Sequence, residues 1–176
     1  IHVHIRRTPQ QTAGTHHPNP PPAIHPVDSI QVAVPCWATL LFTDLEGSTE
    51  LWKANEWVMA ATLAEHDRVL REAIQAHRGI VFKTVGDAIL AAFGDAESGL
   101  AAALHCRREL IAMDRRRGSP PIAYRLRVAV HTGRVFVRDN DYFGPEVCYT
   151  SRLVQVTPPG EILVSEAARR ALDPQD

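Results

Sequence analysis

An α+β fold is the architecture this sequence predicts, and three observations carry it. Short apolar runs at 37–44, 80–84 and 88–93 have the length of strands, and the longer stretches beside them repeat apolar residues every three or four positions. The elements run β-α-β-β-α-β and then β, α, β, α, so the first six match a ferredoxin-like split βαβ palm with extra C-terminal strands and helices. At 176 residues, 45% of them hydrophobic and 22% charged, the chain has room for one domain with its own core.

Residues 1–36 differ in composition. They hold seven of the 13 prolines and five of the nine histidines, including Pro18-Asn19-Pro20-Pro21-Pro22. Such a segment buries little apolar surface and reads as a flexible arm. The folded domain is expected over 37–176.

Within that domain, 37–44 reads as a buried strand. The helix after it breaks near Asn55-Glu56 and continues with Met59, Leu63, His66, Leu70, Ile74 and His77 on one stripe. Gly79 is placed to end it. Val85-Gly86-Asp87 between the next two strands is a hairpin signal. From Asp95 to about Arg116 a second amphipathic helix directs Ala96, Leu100, Ala103, Leu104 and Ile111 inward, with Arg115, Arg116 and Arg117 suiting its C-terminal dipole. Residues 124–131 alternate as a strand, Thr132-Gly133 reads as a turn, and 134–138 as the returning strand. Gly144-Pro145-Glu146 opens a helix to about Gln155. A last strand covers 161–164, and Ser165 caps a terminal helix.

The formal net charge of −1 argues against a broad electrostatic pull toward nucleic acid or membrane. No apolar run approaches the roughly 20 residues that span a bilayer. Cys36, Cys106 and Cys148 have no metal-ligand spacing, and an odd number of cysteines without a signal peptide points to the reducing cytoplasm.

The chemistry concentrates in three blocks. In Leu40-Leu41-Phe42-Thr43-Asp44-Leu45-Glu46-Gly47-Ser48-Thr49, an apolar run ends in a carboxylate and a Gly-Ser-Thr turn opens a helix. A strand can deliver Asp44 to a metal in this way, beside backbone N–H groups of Gly47, Ser48 and Thr49 that suit phosphate. Asp87 supplies a second carboxylate at the hairpin tip, and a carboxylate pair suits two-metal chemistry on a nucleotide. Each aspartate alone also has an ordinary structural reading, as a helix cap or a turn residue. In the third block, Asp141 to Arg152, Cys148 and Arg152 lie four apart and share a helix face. Lysine occurs only at Lys53 and Lys83, and Lys83 lies inside the second block.

The blocks 42–49, 83–88 and 141–153 occur in the order and spacing of class III nucleotide cyclase domains. The chain resembles the bacterial, actinobacterial-like type of that family from residue 37 to about 171. The resemblance implies that Asp44, Asp87 and the Leu45 carbonyl hold two divalent cations, Mg²⁺ or Mn²⁺. It implies that Lys83 and Asp141 read adenine, favouring ATP over GTP, and that Arg152 stabilises charge on the α-phosphate. The implied reaction turns ATP into 3′,5′-cyclic AMP and pyrophosphate, in a head-to-tail homodimer whose sites draw on both chains. Two departures stand out. Cys148 replaces the family's Asn four residues before the Arg, and the sequence stops at Asp176, short of the family's usual final hairpin with its phosphate-binding Lys. Both leave a weakly active or non-catalytic ATP-binding domain as the alternative. A diguanylate cyclase lacks support, because no Gly-Gly-(Asp/Glu)-Glu-Phe turn occurs.

Overall fold

A computed structural model describes residues 33–117 and 125–173. Most of the Pro/His-rich arm, residues 1–32, lies outside the described residues. The elements are β1 (Val34–Leu45), α1 (Ser48–Ala54), α2 (Glu56–Ala76), β2 (Ile80–Val85), β3 (Ala88–Phe93), α3 (Ala96–Arg117), β4 (Leu126–Arg138), β5 (Asp141–Phe143), α4 (Pro145–Val156), β6 (Ile162–Val164) and α5 (Glu166–Leu172).

The strands form one sheet in the order β2-β3-β1-β4-β5, with β6 added parallel to β4. The first four stand in the arrangement expected of a ferredoxin-like palm. Strand β1 is central and apolar on both faces, as a doubly covered strand must be. Leu41 and Leu45 pack with α2 and α3 residues in the larger core, while Leu40 and Phe42 pack with Val154 of α4 on the other face. Helix α2 begins where the sequence breaks: the Asn55 side chain accepts the Val58 amide at 3.1 Å. Ser165 caps α5 in the same way, accepting the Ala168 amide at 3.1 Å.

Four expectations are corrected. Strand β1 starts at Val34, so residues 34–36, read as part of the arm, pair with β4. Thr132-Gly133 is no turn, because β4 is continuous and pairs with β1 from Val34↔Val137 to Leu45↔Leu126. The glycine marks a close approach instead: a Cβ at Gly133 would lie 2.7 Å from Glu146 Cγ. The chain reverses at Asp139-Asn140, where both residues have positive φ, 52° and 59°, as a two-residue hairpin turn demands. Gly79 does not supply the left-handed residue after α2; Arg78 does, at φ 63°. A Cβ at Gly79 would meet the Phe93 ring at 2.3 Å, so glycine is required there by packing. On α3 the buried face runs through Ala102, Ala103, Cys106, Leu110 and Met113, and Leu104 is 55% exposed. Ala96 and Ala103 are buried as expected and Leu100 and Ile111 are half-buried, so Leu104 alone of the expected inward residues is out of place.

Candidate active site

Asp44 sits at the end of β1, directly across from Arg127 of β4. Asp87 follows Gly86 in the two-residue β2–β3 turn, and Gly86 takes the left-handed conformation, φ 61°, that this turn needs. Its Oδ2 accepts the Leu45 amide at 3.0 Å, which draws the hairpin tip to the strand end. Inside the sheet, the Thr43 hydroxyl accepts the Ile89 amide at 2.8 Å and pins β1 to β3 just before the acidic corner.

The corner is electrostatically loaded. Burial first, and then the negative charge of Asp87, raise the Asp44 carboxyl above its ordinary value, while Arg127 pulls the other way. Arg127 Nη2 meets Glu46 Oε1 at 2.9 Å, its Nε lies 3.8 Å from Asp44 Oδ2, and Nη1 donates to the Gln155 carbonyl at 3.1 Å. That Nε is buried without a hydrogen-bond partner. One guanidinium thus joins the acidic strand end to the C-terminal turn of α4. Sequence reading missed Arg127. An arginine within an apolar strand was the available signal, but its partner is set by a strand register that spacing does not give.

A cavity of about 620 Å³ opens between the β1/β3 face and α4. Asp44, Cys148, Arg152 and Gln155 are among its lining residues. Cys148 and Arg152 are exposed on α4, so side chains from a strand end and from a helix 100 residues away in rough count face one space. Lys83 and Asp141 form a separate pair, Nζ to Oδ2 at 2.5 Å. Asp87, Gly47, Ser48 and Thr49 stand outside the cavity's lining, at or near the end of β1. Gly47 takes φ 67° as the N-cap of α1 and makes no side-chain cap.

Among the described residues, no group of three or more His, Cys, Asp or Glu side chains could hold a metal ion. Asp44, Asp87 and the Leu45 carbonyl remain a hard oxygen donor set. It suits Mg²⁺ or Mn²⁺, which keep waters and phosphate oxygens as their other ligands.

His131, His66, His77 and Cys106 sit in the core or at a helix end. His131 is buried in β4, with Nε2 2.6 Å from Glu146 Oε2 and Nδ1 2.8 Å from Ser165 Oγ. His66 is buried on α2, and His77 lies just past its end, 3.2 Å from His105. Burial pushes the Cys106 thiol up to about 12, which leaves it unreactive.

The chain is similar to known proteins over most of its length. Residues 36–176 match the adenylate and guanylate cyclase catalytic domain. An uncharacterised protein of Mycobacterium tuberculosis is 38% identical over 131 residues, covering 73% of this chain and 42% of that protein. Receptor-type adenylate cyclase B of Leishmania donovani is 30% identical, covering 76% of this chain and 13% of that protein. This chain therefore spans less than half the length of either relative. The adenylate/guanylate cyclase/hydrolase structure from Silicibacter pomeroyi superimposes with a TM-score of 0.68 at 25% identity, over 82% of this chain and 83% of that one. The adenylyl cyclase CyaB of P. aeruginosa has the same fold, with a TM-score of 0.71 at 22% identity over 82% and 84%. No helix among the described residues is long and apolar enough to cross a membrane. With the match running over most of its length, the chain belongs to the adenylate and guanylate cyclase catalytic-domain family.

Proposed function

We propose that this domain is an adenylate cyclase, converting ATP to 3′,5′-cyclic AMP and pyrophosphate. The observation that carries the reading is the acidic corner, where Asp87 Oδ2 accepts the Leu45 amide at 3.0 Å and lies close enough to Asp44 for the two charges to interact. It offers two carboxylates for metal, to be met by a guanidinium for phosphate from a second copy. When bound at Asp44, Asp87 and the Leu45 carbonyl, two divalent cations would lower the pKa of the ribose 3′-hydroxyl and neutralise the triphosphate.

The chain's own residues do the positioning. The first-turn amides after Gly47 have no side-chain cap and are left to receive phosphate oxygens with the Ser48 and Thr49 hydroxyls. Lys83 donates to adenine N1 and Asp141 accepts from the 6-amino group, a pattern that guanine reverses. Arg152, exposed on α4, holds charge that builds on the α-phosphate as the 3′-oxygen attacks.

Lys83 and Asp141 stand apart from the lining of the Asp44 cavity, which favours a site completed by a second copy. In a head-to-tail homodimer the acidic corner of one chain would meet Lys83, Asp141 and Arg152 of the other. Three free cysteines accord with a reducing, cytoplasmic setting. The test is turnover of ATP with Mn²⁺ in the intact protein and in Arg152→Ala. Cyclic AMP from the first, reduced by about 10² in the second, supports the reading. Equal rates would reject it.

A second reading has its own observation. Cys148 faces the cavity where a good hydrogen-bond donor is expected, and a thiol donates weakly. A domain that binds ATP and regulates without cyclising it would show nucleotide binding and no product.

A further inference from the structure

Strands β2 and β5 stand at opposite ends of the main strand order, yet they touch. Two adjacent pairs make the contact. Lys83 meets Asp141 at 2.5 Å, and the Phe82 and Tyr142 rings lie 4.8 Å apart, tilted by 45°. Phe42 of β1 extends the stack, 6.1 Å from Phe82. The sheet therefore curls until its edges meet over the face that carries α4.

A bulge makes this possible. Pairing of β2 with β3 passes from Val81↔Ala91 directly to Lys83↔Leu90, leaving Phe82 without an opposite residue. In an unbroken strand, successive side chains leave on opposite faces. The extra residue breaks that alternation, so Phe82 and Lys83 both reach β5. Bulges are a recurrent way to re-aim a side chain beside a site.

The ion pair cannot hold the edges together alone. Its side chains are 42% and 41% exposed, and exposed pairs contribute little. Phe82 and Tyr142 are partly buried against the core cluster of Leu40, Phe42 and Val154, where ring packing is worth more.

We propose that Phe82 and Tyr142 form an aromatic clasp that positions Lys83 and Asp141 across the two sheet edges, and so act as specificity-determining positioning residues for the purine. The specificity half of the inference rests on the base-reading role given above to Lys83 and Asp141. The clasp itself does not.

The two lysines make a direct test possible. Lysine-selective ¹⁵N/¹³C labelling yields side-chain ammonium signals from Lys53 and Lys83 alone, assigned by Lys53→Arg, in protein free of nucleotide. Asp141→Asn gives the position of a Lys83 released from its partner. Tyr142→Ala and Phe82→Ala should each move the Lys83 signal toward that position, while Tyr142→Phe, which keeps the ring, should not. If either alanine variant fails to fold, Tyr142→Leu carries the same prediction with the apolar volume retained. Binding of fluorescent ATP and GTP analogues should show the ATP preference reduced by about 5- to 10-fold in the ring-deleted variants, the scale of one hydrogen bond. Tyr142→Phe should restore it. An unmoved Lys83 signal in the ring-deleted variants overturns the clasp, whatever the nucleotides do. A moved signal with ATP preference intact, both there and in Asp141→Asn, overturns the base-reading role and the specificity claim with it.

Discussion

The Leu45 amide donates to Asp87 Oδ2 at 3.0 Å, tying the end of the central strand to the tip of the neighbouring hairpin. This bond brings two carboxylates that are 43 positions apart, by subtraction of their numbers, to one corner. Asp87→Ala removes both the tie and a charge. Mn²⁺ binding, followed by electron paramagnetic resonance, should weaken, and turnover should fall by at least about 10². Asp44→Ala should abolish metal-dependent turnover with the circular dichroism of the fold retained. Full activity in either variant would remove these residues from the site.

The raised Asp44 carboxyl has a pH signature. A folded-state value above the unfolded one means that the folded chain binds more protons between the two. Stability of the metal-free fold should therefore rise as pH falls from neutral toward the ordinary value of 3.8, by the part that Asp44 contributes. Metal needs the ionised form, so Mn²⁺ affinity should decline over the same window, above the range of an ordinary aspartate. Thermal melts of the wild type and Asp44→Asn in chelator isolate the first effect. The difference between them should be largest at neutral pH, with the asparagine variant the more stable, and should shrink on acidification.

Cys148 and Arg152 face the same cavity. Cys148→Asn puts a strong amide donor where a weak thiol stands. Turnover should rise, by up to about 10², the scale of one transition-state donor. An unchanged rate under saturating ATP would mean that this helix face does not meet the reacting phosphate.

How far the sequence discloses this arrangement depends on the range of the interaction. Local signals are legible: the helix break near Asn55, the Ser165 cap, the Gly86-Asp87 turn and the Pro145 helix start all lie where the residues place them. Asp44 and Arg152 are legible as candidates from their blocks. What escapes is set by register and close approach. Gly133 reads as a turn because its reason, the Glu146 side chain, is 13 positions away by number. Arg127 reads as an ordinary strand residue because its position across from Asp44 is a fact of pairing. The Phe82 bulge is invisible for the same reason, since nothing in Val-Phe-Lys distinguishes a bulged strand from a regular one.

Gly133→Ala would force its Cβ to within 2.7 Å of Glu146 Cγ. Either the Glu146 side chain must swing away and give up its bond to His131, or the strand or the first turn of α4 must shift. Overpacking of this kind costs about 1–3 kcal/mol, read from urea denaturation. Turnover should fall as well to the extent that the helix carrying Arg152 moves.

Arg127→Gln loses the charge-assisted contacts to Glu46 and Asp44 and the bond to the Gln155 carbonyl. Its side chain is only 18% exposed, so the loss should be felt, at about 1–3 kcal/mol of stability. Denaturation in chelator measures it with no nucleotide present. A variant as stable as the wild type would show that the guanidinium does not bind the strand end to α4.

ATP cyclisation at a site completed by two copies of the chain has a kinetic signature. The most direct measurement is cyclic AMP formed from ATP and Mn²⁺ by the wild-type protein across a series of protein concentrations. Product should form, with a rate that rises faster than linearly in protein until dimers saturate. No product while ATP remains bound would contradict catalysis, and a strictly linear rate down to concentrations at which the protein is monomeric would contradict the shared site.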